Sequence, residues 1–180
     1  AAAMAGNPRT LADLSQTSAS VTTKYIAAVK SMASLGQKLF FIDSTAAQGT
    51  ELWIYDMSNS QGMMLKDICP GLDSSYPSQL TRVGNRLFFV ASDGEHGAEL
   101  WVSDGTASGT KMVRNIGPGL ADASIFHMTA CGNLLFFAAN DGEHGCEMWR
   151  SDGSEAGTWM TKDIAPGLDS GCHSLTWAPA

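Results

Sequence analysis

A unit of 48 residues occurs three times in tandem in this chain of 180 residues. Each copy carries a Glu, a Trp and an Asp at fixed positions, together with a Phe-Phe pair and a Pro-Gly pair. The repeat-defining residues are Glu51, Trp53 and Asp56, then Glu99, Trp101 and Asp104, and finally Glu147, Trp149 and Asp152. A unit this short cannot bury its apolar residues alone, so the repetition predicts copies that stack on one another.

The middle copy divides at turn signals into four short β runs. These are Ser78 to Val83, Arg86 to Ala91, Ala98 to Ser103 and Thr110 to Ile116. Gly84-Asn85 is a two-residue hairpin signal, and the segment 93–97 is a longer hairpin loop. Loops of this length join antiparallel neighbours, so each copy is predicted to be a four-stranded antiparallel meander.

The faces of two strands predict how the copies pack. In the run 87–91 both alternating faces are apolar, which is typical of a strand buried on both sides. In the run 99–103, Leu100 and Val102 share one face, and Trp101 lies on the other, where it is expected to pack against a neighbouring copy. Replacing that Trp with Ala should then cost roughly 3–5 kcal/mol.

The predicted fold is all-β, with three four-stranded meanders arranged as propeller-like blades in an open or partial ring. Closed propellers have about four to eight blades, so three form an arc, part of a longer protein, or a unit that another chain completes. A β-trefoil, which also has three four-stranded repeats, is the alternative. Residues 1–27 are assigned to an N-terminal arm and 28–180 to the repeat domain, which includes the start of a fourth copy near His173.

The charge balance excludes some classes of partner. The net charge is −7 and the chain is acidic, which argues against nucleic acid and against an anionic membrane surface, because both require clustered Lys and Arg. No run approaches the ~18 apolar residues of a spanning helix, so no transmembrane segment is expected. The first 23 residues are rich in Ala, Ser and Thr with one acid, Asp13. Removal of a targeting peptide would leave such an N-terminus, and a chain boundary of another origin would look the same.

The four cysteines are Cys69, Cys131, Cys146 and Cys172, and none recurs in register between copies. No C-x-x-C pair is present, so the usual zinc spacing is absent. Two disulfides with three possible connectivities and a set of buried thiols are both compatible with this pattern.

Two loops in register concentrate polar groups that are candidate metal ligands. The candidates are Asp93, Glu95 and His96 in one loop, and Asp141, Glu143 and His144 in the other. Carboxylates in such a loop suit Ca²⁺, and His suits a transition metal. The alternative is structural, because Asp also closes turns through its own backbone and Gly adopts positive φ. A calcium loop normally has more carboxylates, so no cofactor is expected, with Ca²⁺ as the alternative.

Catalytic signals are weak throughout the chain. A paired-carboxylate site formed by Glu99 and Asp104 is conceivable, but residues repeated in every copy usually maintain the repeat. No G-x-x-x-x-G-K-[ST] phosphate loop occurs, and no Ser-His-Asp or Cys-His grouping is suggested. The chain is therefore predicted not to be an enzyme.

Tryptophan side chains are also candidates for a carbohydrate-binding surface. Trp159 and Trp177 stand outside the repeat register, which makes them the candidates for glycan binding. The three tryptophans in register are expected to pack between copies.

Residues 99–106, Glu-Leu-Trp-Val-Ser-Asp-Gly-Thr, match the hallmark of the ELWxxDGT repeat proteins, which the chain resembles over about 140 residues. Residues 147–154 match with two conservative changes, whereas the first copy has Met57-Ser58 in place of Gly-Thr. The resemblance implies a propeller-like fold, an exported or cell-surface protein, and no established enzymatic activity. The altered first copy suggests an edge repeat whose turn no longer needs the standard residues.

The expected function is a non-catalytic interaction or structural module, serving as an accessory subunit of a larger assembly. Open β edges favour this, because they need a protein partner to cover them. The expected location is extracellular or luminal, for example the thylakoid lumen. A lectin-like module that binds glycans is the alternative.

Overall fold

The computed structural model describes residues 32–167 and 171, and these form three four-stranded antiparallel sheets with no helix. In each sheet the spatial order of the strands follows the chain. Blade 1 contains β1 (Ala33–Leu35), β2 (Lys38–Thr45), β3 (Gly49–Asp56) and β4 (Gln61–Lys66). Blade 2 contains β5 (Ser78–Val83), β6 (Arg86–Ala91), β7 (Glu99–Ser103) and β8 (Lys111–Arg114). Blade 3 contains β9 (Phe126–Cys131), β10 (Leu134–Asn140), β11 (Cys146–Ser151) and β12 (Trp159–Lys162).

The all-β prediction with three tandem meanders is confirmed. The β-trefoil alternative is excluded for the described residues, because no sheet combines strands from two repeats. In blade 2 the first two strands have the predicted bounds, and β7 starts one residue later than predicted. The last strand starts at Lys111 rather than Thr110 and ends at Arg114 rather than Ile116. It ends early because the Ile116 backbone N–H bonds to a side chain instead of a neighbouring strand.

The cores lie between blades rather than within them. We call the face of a blade that meets the next blade its trailing face, and the face that meets the preceding blade its leading face. Phe40, Leu52 and Ile54 on the trailing face of blade 1 pack with the leading-face residues Leu87, Phe89 and Trp101 of blade 2. Phe88, Leu100 and Val102 pack in the same way with Leu135, Phe137 and Trp149 of blade 3. Trp101 thus packs against the neighbouring blade, as the alternation of side chains predicts.

The first strand of each blade contacts the first strand of the next blade. Strand β1 contacts β5, and β5 contacts β9, so the first strands of the blades lie side by side. Gln79 at the bulge in β5 donates from Nε2 to the Ile125 carbonyl just before β9. The three sheets of the described residues do not close into a ring, which fits the expected open, propeller-like arrangement.

Some of the sequence predictions lie outside the described residues. These are the N-terminal arm (1–27), the beginning of a fourth copy near His173, and the candidates Cys172 and Trp177. In the part of the chain that the structure describes, no helix is long and apolar enough to cross a membrane.

Candidate functional site

The repeated glutamates hold the connectors between blades. Glu51, Glu99 and Glu147 are fully buried at the start of the third strand of each blade. The Glu99 carboxylate accepts hydrogen bonds from the backbone N–H groups of Ile116 and Gly117, both at 2.8 Å. Charge-assisted bonds to backbone N–H groups are stronger than neutral ones, so each carboxylate fixes the point where the chain leaves one blade for the next.

The other two glutamates repeat this geometry and add a second anchor. Glu51 accepts from Ile68 and Cys69, and also from the Ser75 backbone at 2.9 Å and hydroxyl at 2.6 Å. Glu147 accepts from Ile164, Ala165 and Gly171, each at 3.1 Å. Glu51 therefore holds both ends of the connector between blades 1 and 2.

Burial changes the acidity of two of these groups. Desolvation raises the pKa of Glu99 to about 7 against the opposing effect of its two backbone hydrogen bonds. Desolvation likewise raises the pKa of Glu51. A carboxyl group with a raised pKa is a frequent mark of an active site, but here both oxygens are already used by the connector.

The repeated aspartates close the turn after the third strand. Asp104 Oδ1 accepts from the Thr106 backbone at 2.9 Å and hydroxyl at 2.7 Å, and Asp152 does the same with Ser154. Hydrogen bonds from these hydroxyl groups lower the pKa of both carboxyls. In the first copy Ser58 supplies the same two bonds to Asp56, so this part of the turn is kept despite the altered sequence.

Glu99 and Asp104 do not form a carboxylate pair. They lie at opposite ends of β7, five residues apart, which in an extended strand is roughly 16 Å. Paired carboxylates of glycoside hydrolases stand about 5–10 Å apart. These two groups therefore have separate structural roles.

The polar hairpin loops are organised by an Asp–His contact. Asp93 Oδ2 lies 2.9 Å from His96 Nδ1, and the matching atoms of Asp141 and His144 are 2.8 Å apart. Burial alone would raise the pKa of each Asp, but hydrogen bonds from the His backbone and ring lower it. The same contact raises the pKa of His96 and of His144.

These loops do not assemble a metal centre in the described part of the chain. Oδ1 of Asp93 is occupied by the backbone N–H groups of Glu95 and His96, and Asp141 is used in the same way by Glu143 and His144. Within residues 32–167 and 171, no three His, Cys, Asp or Glu side chains are grouped as a metal site. In each loop, the hydrogen bonds of the three candidate residues are those of a closed turn.

Basic side chains that the sequence reasoning missed join each blade to the next. Lys66 of blade 1 donates to the Thr110 carbonyl of blade 2 at 2.8 Å and lies 5.7 Å from the centre of the Trp101 ring. Arg114 repeats this one blade later, on the Thr158 carbonyl at 2.8 Å and over Trp149 at 5.8 Å. The 48-residue spacing of these two cations was a signal that could have found them.

A second cation completes each junction. Lys38 Nζ donates to the Gly105 carbonyl at 2.6 Å, and Arg86 donates to the Asp152 carbonyl. The glycine of each turn makes room for this side chain. A Cβ on Gly105 would lie 3.1 Å from Lys38 Cδ and 3.4 Å from Phe40 Cζ. A Cβ on Gly153 would lie 2.8 Å from Arg86 Nη1 and 3.2 Å from Phe88 Cζ. We call the two cations and the glycine-containing turn that they meet the junction contacts.

A polar cleft of about 380 Å³ lies at the junction of blades 2 and 3. Its polar lining residues are Asn85, Arg86, Asn133, Asp152 and Ser154, and the buried Phe88 also lines it. The cleft presents amide, guanidinium, carboxylate and hydroxyl groups to solvent. These hydrogen-bond donors and acceptors suit a small polar ligand.

Trp159, a glycan candidate, is 41% exposed. The guanidinium of Arg150 lies 4.0 Å from the centre of its ring, so the Trp is engaged within its own sheet. Its exposure leaves the glycan hypothesis open.

The described cysteines differ in environment. Cys69 is buried and Cys131 is exposed, and neither forms a disulfide. Cys146 is also buried. Burial raises the pKa of the Cys69 thiol, and Gly94 of the next blade lies directly against its sulfur.

A scan against protein-family models and a search of curated proteins both found no match to this chain.

Proposed function

We propose that this chain is a non-catalytic β-repeat module whose sheet faces are completed by protein, as an accessory subunit of a larger assembly. The repeated Glu, Asp, Ser, Thr, Lys and Arg side chains are used in turns, connectors and junction contacts. This supports a structural role for the repeat and leaves its outer faces as the surfaces for recognition.

The observation that carries the proposal is the exposure of the two outer faces. Phe40 and Phe88 are fully buried on trailing faces, but the corresponding Phe136 of blade 3 is half-buried. On the leading side, Leu39 and Phe41 of blade 1 are half-buried, whereas their counterparts in blades 2 and 3 are fully buried. Apolar residues left partly exposed on a flat sheet favour a protein partner.

The resemblance to the ELWxxDGT repeat proteins is part of this proposal, because it implies an exported or cell-surface protein. An extracellular or luminal location, such as an organellar lumen, follows from it. Fractionation with protease protection tests the location: the chain should be protected inside intact organelles or recovered outside the cell, and recovery in the cytosol would contradict it.

Capture of partners from the source material tests the function. The tagged chain should retain a defined protein, and Phe136→Arg should abolish that retention by placing a charge on the trailing face. Leu120→Arg is the matched control, because Leu120 is 74% exposed in a connector. Retention that is unchanged by Phe136→Arg, or a chain that retains no protein, would contradict the proposal.

A lectin-like module is the second candidate, favoured by the polar cleft between blades 2 and 3 and by the exposed Trp159. Binding to a glycan panel, measured by calorimetry, should be lost in Asn133→Ala if the cleft holds the sugar, and in Trp159→Ala if the ring does. No heat of binding across the panel would exclude this candidate.

A further inference from the structure

The polar cleft between blades 2 and 3 contains side-chain groups that the fold does not use. Within the described part of the chain, no hydrogen bond engages the carboxamide of Asn85 or of Asn133, and both residues are exposed. The two amides belong to neighbouring hairpins, since a Cβ on Gly84 of blade 2 would lie 3.6 Å from Asn133 Oδ1 of blade 3. The junction does not require these amides, so they are free to bind a ligand.

Two guanidinium groups lie at this cleft. Arg86 lines it and donates from Nη1 to the Asp152 carbonyl of blade 3. A guanidinium has five N–H donors in a planar fork, so most of the donors of Arg86 remain for a ligand. Arg82 Nε donates at 2.9 Å to the carbonyl of Gly84, a residue of the cleft lining, which places a second guanidinium beside the cleft.

Asp152 is the one acidic residue among those that line the cleft. Its Oδ1 accepts two hydrogen bonds from Ser154, and no described residue donates to its Oδ2. The bonds from Ser154, followed by the charge of Arg86, lower the pKa of this carboxyl, so it is ionised at neutral pH. Two arginines against one aspartate give the cleft a local charge of +1, in a chain whose net charge is −7.

The two arginines are not needed to form a junction of this type. At the equivalent positions of the junction between blades 1 and 2, Ser34 stands in place of Arg82 and Lys38 in place of Arg86. Lys38 still joins the two blades through the Gly105 carbonyl. An ammonium group lacks the planar fork that binds two oxygens of one acidic group. The arginines therefore add a capacity for binding an anion that the repeat itself does not require.

The size and polarity of the cleft limit its ligand. Its volume of about 380 Å³ lies near the lower end of the roughly 300–1,000 Å³ of small-molecule pockets. An apolar ligand would leave the amides and the charged groups without partners. Carboxamides donate to and accept from hydroxyl groups, and a carboxylate oxygen accepts from them. A ligand with several hydroxyl groups and one negative charge thus matches every polar group of the cleft.

We propose that this cleft binds a single sugar unit that carries one acidic group, a carboxylate or a sulfate ester. The guanidinium groups of Arg82 and Arg86 bind the acidic group. The amides of Asn85 and Asn133 bind the hydroxyl groups, and Asp152 Oδ2 accepts from one of them. The inference rests on the lectin candidate and specifies the class of sugar, and it assigns the sugar to the cleft instead of the exposed tryptophan.

Isothermal titration calorimetry of the 180-residue chain tests the class of ligand. Glucuronate and glucose 6-sulfate carry the two acidic groups, glucose is the neutral sugar, and inorganic sulfate is the acidic group without a ring. One of the acidic sugars should bind ~10-fold or more tighter than both glucose and inorganic sulfate, because only an acidic sugar reaches both sets of groups. The tighter of the two identifies the acidic group. Glucose or inorganic sulfate bound as tightly as the acidic sugars would overturn the inference.

Substitutions at the arginines test the site. Arg82→Ala and Arg86→Lys should each weaken binding of the acidic sugar by ~10-fold or more, because each removes a planar fork. Arg86→Lys keeps the charge and reproduces Lys38 of the first junction, and circular dichroism checks that both variants are folded. Lys162→Ala is the control, because it removes one positive charge from an exposed position on β12, opposite Met148 and outside the cleft. Equal weakening in the control and in the arginine variants would overturn the inference, since binding would then depend on net charge alone.

Failure of this inference can be distinguished from failure of the functions proposed above. A neutral glycan that binds through Trp159, without preference for an acidic sugar, would overturn the inference and leave the lectin candidate standing. No heat of binding with any sugar would overturn both. Neither result bears on the capture of a protein partner through Phe136.

Discussion

Single glutamate side chains hold the connectors of this protein in place. Glu99 has no basic partner among its hydrogen bonds and meets two backbone N–H groups of the connector instead. Replacing it by Gln keeps one acceptor oxygen and turns an NH₂ group toward a backbone donor. A buried donor without an acceptor costs about 1–3 kcal/mol.

Glu99 makes the free energy of unfolding depend on pH, and its raised pKa fixes the direction of that dependence. Its pKa of about 7 in the folded state exceeds the ordinary 4.5, so folding favours the protonated form. This contribution is fully present below about pH 4.5 and is lost as the pH rises through about 7. We expect the free energy of unfolding, measured by urea titration, to decrease from about pH 5 to about pH 8.

The variant Glu99→Gln isolates that effect from the Asp–His pairs. The pKa of His96 and of His144 is also raised, so these pairs lose stability in the same direction above about pH 6.5. The Gln variant should be about 1–3 kcal/mol less stable near pH 5, with a difference that shrinks toward pH 8. Glu95→Gln, on an exposed side chain, is the control; a pH-independent difference for Glu99→Gln would contradict the expectation.

At the scale of structural elements, the connectors are in close contact with the hairpin loops of the blades. The connector after β8 runs beside the loop 93–97, and the Ala98 backbone donates to Asp122 Oδ1 at 2.6 Å. A Cβ added to Gly97 would lie 2.3 Å from the Ala121 carbonyl oxygen. That oxygen belongs to the backbone, so the contact cannot be relieved by moving one side chain.

Gly97→Ala therefore tests the packing of loop on connector. We expect a loss of about 1–3 kcal/mol in the free energy of unfolding, since the connector must shift to admit the methyl group. Glu95→Ala in the same loop should change stability by less than about 0.5 kcal/mol, because Glu95 is exposed. Equal effects of the two substitutions would show that the connector does not lie against the loop.

At the scale of the whole molecule, the described blades form a series in which packing and hydrogen bonds join each blade to its neighbour. In such an array the stability is approximately a sum over blades and over junctions between neighbours. The middle blade takes part in both junctions, and each end blade takes part in one. Equivalent residues should therefore contribute differently according to their position in the series.

Phe88 and Phe136 provide that comparison at one repeat position. Phe88→Ala should cost about 3–5 kcal/mol, because the side chain is fully buried in the junction with blade 3. Phe136→Ala should cost clearly less when urea unfolding is measured on dilute, monomeric chain. Equal losses would contradict the open arc of three blades.

The fold could be predicted from the sequence in large part, and the roles of the candidate residues only in part. The 48-residue spacing and the turn residues predicted the number of blades and the bounds of the first two strands of blade 2, because hairpin loops and alternation are local properties. The cations Lys66 and Arg114 were missed, because their partners are carbonyl groups of another blade, 44 residues away. Every residue has a backbone carbonyl group, so the sequence does not show which of them accepts a hydrogen bond.

By itself, the sequence determined the repeat, the meander within each blade, and the presence of a Trp and a Glu at fixed points of each blade. These follow from periodicity, since a pattern of 48 residues must produce the same local structure each time. The tertiary structure decided what those residues meet. It placed each Glu on a connector, each in-register Trp of blades 2 and 3 on the preceding blade, and left Phe136 only half-buried. Burial and hydrogen bonding between blades depend on which surfaces face each other, and a one-dimensional pattern does not specify that.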